Sequence, residues 1–117
     1  MHELLIKLME LKAEAIASAT GLPASTYFQE ADKEAIRRWS LEDVRIIVER
    51  INEQIYDYPG YLSASCPFCI RYLTGCSSCE YAKEHGFCED DDSDYRRIFG
   101  RLKRPIDTVA IWEKAKA

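Results

Sequence analysis

Glycine and proline are scarce in this chain, five and four among 117 residues. No G-x-x-x-x-G-K-[S/T] or G-x-G-x-x-G run occurs, so the backbone loops that cradle nucleotide phosphates are missing. Histidine is scarcer still. Of the two, His2 is terminal and His85 sits among cysteines, so no serine–histidine triad can be assembled. The H-x-E and P-C-x-x-C signature of zinc deaminases is absent too, because His2-Glu3 lacks the spacer and the proline of Cys66-Pro67 lies inside its cysteine pair. No apolar run approaches the roughly 20 residues of a membrane span. Glu3, Lys7, Glu10 and Lys12 interrupt the place where a signal peptide would carry its apolar stretch. The expectation is a protein with no membrane association that stays in the cytoplasm. Alternating strand patterns are also lacking, which points to an all-α chain.

The chain does have core-forming residues and charge. It is 47% hydrophobic and 31% charged, enough apolar material for one domain of ordinary size. The net charge is −4, from 16 basic and 20 acidic residues, so bulk attraction to nucleic acid is not expected. Three zones divide the single domain 1–117: a helical bundle at 1–58, a cysteine-rich segment at 59–88 and a charged C-terminal helical arm at 89–117.

Helical periodicity places about three helices in the first zone. Leu4, Leu8, Leu11 and Ala15 mark the first, from Glu3 to Ala19, stopped by Gly21 and Pro23. Thr26-x-x-Gln29 has the form of a capping box and predicts a second helix from Thr26 to about Trp39. Ser40-x-x-Asp43 opens a third, with Val44, Ile47, Val48, Ile51 and Ile55 as its apolar stripe. Tyr58-Pro59-Gly60 then turns the chain. Pro67 suits the first position of a short helix at 67–73. Ser77-x-x-Glu80 predicts another at 78–85, ended by Gly86. A short patch, Tyr95 to Phe99, follows the acidic run Glu89-Asp90-Asp91-Asp92. Pro105 opens the predicted last helix, with Ile106, Val109, Ala110 and Glu113 on one side. Trp39 reads as a core anchor, and Trp112 as an anchor of either core or interface.

All five cysteines lie between 66 and 88, as Cys66-x-x-Cys69, Cys76-x-x-Cys79 and Cys88. An odd count fits poorly with a complete disulfide framework, and cytosolic thiols stay reduced. Each C-x-x-C pair presents two sulfurs on one turn, and four thiolates complete a tetrahedral zinc site. Helix starts at Cys66 and Cys79 would stabilise thiolates further. Four of the five cysteines are therefore expected to hold metal. Cys66, Cys69, Cys76 and Cys79 are the first set, and sets including Cys88 the second. His85 is either an additional ligand or a residue at a helix C-terminus. Zinc is the first reading. An iron–sulfur cluster is the alternative, because six residues between the pairs is short for a zinc ribbon. A metal-free thiol redox sensor is the third.

The pattern Cys66-x-x-Cys69, Cys76-x-x-Cys79, Gly86-x-Cys88, Ser93-x-Tyr95 resembles that of small cysteine-cluster proteins of prokaryotes and their phages. It covers about a quarter of the chain. Glu80 stands where that pattern has a proline. The resemblance implies a cluster-stabilised small protein and supplies no activity.

These readings converge on a non-enzymatic, metal-stabilised helical binding or adaptor module. The alternative is an iron–sulfur protein acting in electron transfer or as an accessory subunit. The 59–88 segment has few aliphatic residues, so metal is expected to order it, with Tyr58, Tyr61, Phe68, Tyr72, Tyr81 and Phe87 wrapping the site; chelation should then unfold it. Another protein is the expected partner. Arg96, Arg97, Arg101, Lys103 and Arg104, with Trp112, are the candidate contact residues. Nucleic acid could meet residues 96–104 but is not favoured, since pairing of those cations with the adjacent acidic run, or plain solvation, explains them more simply.

Overall fold

The computed structural model describes residues 1–72, 79–86 and 91–117. Among them the regular elements are all helical, and no strand occurs. The α-helices are α1 (His2–Thr20), α2 (Glu30–Arg38), α3 (Leu41–Gln54), α4 (Pro67–Arg71), α5 (Glu80–His85), α6 (Asp94–Arg101) and α7 (Thr108–Lys116). Single 3₁₀ turns at Ala24–Thr26 and Ser63–Ser65 link α1 to α2 and α3 to α4.

The long helices follow their apolar periodicity. Leu5, Leu8, Met9 and Ile16 of α1 are buried, and Gly21 (φ +78°) closes the helix in the left-handed conformation. The Ser40 hydroxyl accepts the Asp43 N–H at 3.1 Å and caps α3, whose Val44, Ile47, Val48 and Ile51 are buried. Several predicted boundaries move. The helix expected at 67–73 ends at Arg71, and the one expected at 78–85 starts at Glu80 behind Cys79, its expected cap Ser77 lying outside the described residues. The second helix starts at Glu30 rather than Thr26, because Tyr27 and Phe28 turn into the core and Asp32 bonds back to the Gln29 N–H at 2.8 Å. The last helix starts at Thr108, where the Asp107 carboxylate accepts the Ala110 N–H at 3.0 Å.

Pro105 serves another purpose. Gly60 (φ +87°) lets the chain run so close to it that a Cβ there would lie 2.8 Å from the Pro105 Cβ. The Gly60 N–H donates to Thr108 Oγ1 at 3.0 Å, fixing the start of α7.

Helix α1 is the hub, touching α2, α3, α6 and α7. The C-terminal helix is therefore no free arm. Its buried face is Thr108, Trp112 and Ala115, not the predicted Ile106–Glu113 side. Trp112 is fully buried and donates its indole N–H to Asn52 Oδ1 at 2.7 Å. This corrects its assignment as a partner contact: its ring belongs to the core.

A buried polar cluster joins the later helices to the bundle. Both His85 ring nitrogens are engaged, Nε2 with Asp32 of α2 at 2.6 Å and Nδ1 with Asp94 of α6 at 2.8 Å. The ring stacks on Tyr81, with centroids 4.0 Å apart. Burial alone would push its pKa down, but the two carboxylates prevail and hold it above the ordinary 6.5. With both nitrogens committed, His85 offers no lone pair to a metal and acts as a bolt between helices. The imidazolium's stabilisation should be complete below pH 6.5 and fade as pH rises through the higher folded-state value. In urea titrations, His85→Gln should lower stability by about 3 kcal/mol at low pH. The gap to wild type should narrow as pH rises above 6.5; a gap independent of pH would rule out the charged cluster.

Candidate metal centre

The cysteine segment is fastened to the bundle by side chains of α1 and α3 and by Trp39 between α2 and α3. Gln54, at the end of α3, donates to the Ala64 carbonyl at 2.7 Å. Arg71 of α4 pairs with Asp43 of α3 at 2.6 Å and lies over the Trp39 ring, 5.0 Å from its centroid. Lys12 of α1 is completely buried and donates to the carbonyls of Leu62 and Ser65 at 3.1 and 3.2 Å. Phe68 and Tyr81 add an aromatic core, ring to ring at 5.2 Å, with Trp39 5.0 Å from Phe68. The segment thus carries more apolar anchoring than its aliphatic content predicts: Leu62, Phe68, Ile70 and Tyr81 are buried. Of the aromatics expected to wrap the site, Tyr58 and Tyr61 instead face solvent, and Phe87 lies outside the described residues.

Pro67 opens α4 as expected, and Cys66 precedes it as the capping residue. Cys66 is buried, and Cys69, one turn on, is half-buried. Cys69 lines a surface cleft of about 280 Å³ with Gln54, Tyr58 and Ile70, so the pair borders solvent on one side. The Cys69 thiol donates to the Cys66 sulfur. This bond does most to lower the Cys66 pKa; burial opposes it, and the Lys12 ammonium together with the Cys69 and Phe68 N–H groups adds to it. The net effect holds Cys66 well below the ordinary thiol value of 9.0. Lys12 moves in the opposite direction from its own reference. Burial pushes it from 10.5 to about 8, against the fields of Cys66 and Cys69. At neutral pH the two form a buried cation beside a thiolate.

Cys79 caps α5 and is half-buried. Cys76 and Cys88 lie outside the described residues. Among the described residues no three His, Cys, Asp or Glu side chains converge as a metal site. The fold therefore brings Cys66 and Cys69 together, and does not bring Cys79 to them in a group of three. The donors present fit a soft or borderline cation, and zinc in four thiolates carries two net negative charges that a nearby ammonium offsets.

Glu80 has a structural job. It accepts Trp39 Nε1–H at 3.0 Å and the Tyr72 hydroxyl at 2.5 Å, with Arg38 at 3.6 Å. Burial raises its pKa, but these partners keep it below the ordinary 4.5. A proline there would leave the indole N–H and the phenol without their acceptor. Lys12 escaped the sequence reading because one lysine on an apolar helix face looks like a break in the stripe. Its one signal was position, since it falls between Met9 and Ile16 on the buried side.

The thiolate absorbance near 240 nm of metal-free protein should contain a step below pH 9 that disappears in Cys66→Ser. Lys12→Met should move that step to higher pH; an unmoved step would show that the ammonium does not act on the thiol. Comparison with known proteins gives no match: no family model, no curated protein and no solved structure aligns with this chain.

Proposed function

We propose that the chain is a non-enzymatic helical binding module whose cysteine cluster holds one structural zinc ion. The observation that carries this reading is the meeting of the Cys66 and Cys69 thiols on one helical turn beside a buried ammonium. Three further cysteines follow by residue 88 in the sequence. Cys66 and Cys69 would supply two thiolates, and two of Cys76, Cys79 and Cys88 the rest. Zinc would supply a redox-inert cross-link rather than a reaction, tying α4 to the later cysteines. Another protein is the partner class this reading favours.

Because Leu62, Phe68 and Tyr81 are anchored in the core, metal removal should loosen the cysteine segment while leaving the helical bundle folded. Full-length protein purified anaerobically should be colourless and carry one zinc per chain by elemental analysis. Cys69→Ser should weaken zinc retention against a chromogenic chelator by at least about tenfold, with helical circular dichroism retained. Iron with acid-labile sulfide and a visible chromophore would replace this reading with the iron–sulfur one. Protein containing neither metal would end both.

A further inference from the structure

A groove of about 490 Å³ lies where the loop after α3 meets the end of α6. Its apolar wall is built from Tyr61, Leu62, Tyr95, Phe99, Leu102 and Pro105. Leu62 is buried, whereas Tyr61 and Phe99 are 63% and 61% exposed. Such exposure is large for two aromatic rings on one patch and marks an interaction surface. The Tyr95 and Phe99 rings lie nearly parallel, 6.2 Å apart, one turn from each other along α6. Lys103 and Arg104 line the same groove and are exposed.

The charges identify the occupant. The sequence offered pairing with the acidic run before it, or plain solvation, as the simpler account of the basic stretch. Among the described residues only Arg97 makes such a pair, with Asp94 at 3.4 Å. Arg96, Arg101, Lys103 and Arg104 form no ion pair with any described carboxylate. An apolar groove with two unpaired cations at its lip complements an apolar side chain flanked by carboxylates. A nucleic-acid strand fits less well. The exposed Asp91 and Asp92 stand just before α6 and would repel a phosphate backbone running along that helix. A short peptide meets only the lip.

We propose that this groove docks a short acidic segment of a partner protein, which inserts one bulky apolar side chain between Tyr61 and Phe99 and sets its carboxylates against Lys103 and Arg104. The proposal names the partner class for the binding role proposed above. It relies on that role and not on the metal.

The test uses the full-length protein and a fluorescein-labelled peptide with one central tryptophan among glutamates and aspartates, read by fluorescence polarisation. Binding should be micromolar and weaken with added salt. Phe99→Ser, and separately the double variant Lys103→Glu/Arg104→Glu, should each weaken it by about tenfold or more. All three positions are exposed, so zinc content and melting temperature should be unchanged. A peptide with alanine in place of the tryptophan should also bind at least about tenfold more weakly. Absence of binding at about 1 mM, binding indifferent to both variants, or tighter binding of a labelled oligothymidylate than of the peptide would each overturn the proposal. Zinc-loaded protein that ignores the peptide would sink the groove and spare the metal centre; zinc-free protein that binds it would do the reverse.

Discussion

A buried ammonium in the middle of the first helix sets the terms for the rest of the molecule. Lys12 has no water to solvate it, and leaving a charge unpaired in the core would cost several kcal/mol. The chain answers by bringing the Leu62 and Ser65 carbonyls to its Nζ and by holding the Cys66 and Cys69 thiols within its field. The Tyr27 ring lies 5.2 Å away on another side. This requirement draws the loop after α3 against α1. The register of α4, and with it the cysteine pair, follows from that docking.

Around this point the later helices are fastened by a second set of polar groups rather than by apolar stripes alone. Short helices such as α4 and α5 bury too little surface to hold their own positions. Glu80 gathers Trp39, Tyr72 and Arg38, while His85 bridges Asp32 and Asp94. Both bridges act through residues close to the cysteines in sequence. These bridges hold α5, next to Cys79, and Lys12 holds the loop before Cys66, so in the proposed zinc site the metal would complete a local cross-link.

Much of the bundle was legible in the sequence, because α1 and α3 are long enough for their periodicity to be unambiguous and because Gly21 and Ser40 punctuate them by simple rules. Short elements were less so. The Thr26 capping pattern was formally correct but gave way to burial of Tyr27 and Phe28, a tertiary preference that local propensity does not contain. Trp112 and the last helix were misjudged because polar neighbours concealed a buried face only two or three residues wide. The cysteine pair at 66 and 69 was visible from spacing alone. Its neighbour Lys12 was not, nor were Asp32 and Asp94, the partners of His85, since a charged residue's burial depends on contacts between residues tens of positions apart.

The cysteine pair and the aromatic groove are neighbouring features, since Tyr61 lines both the cleft beside Cys69 and the groove beside Phe99. In the proposed module, the centre that would stiffen it is separate from the surface that would meet a partner, with one loop serving both. The dependence of that loop on Lys12 is tested most directly by NMR titration of the lysine side chains in metal-free protein. One lysine signal, lost in Lys12→Met, should titrate at about pH 8, apart from the exposed lysines. A Lys12 signal that titrates at the ordinary lysine value of 10.5 would contradict the buried ammonium and the docking built on it.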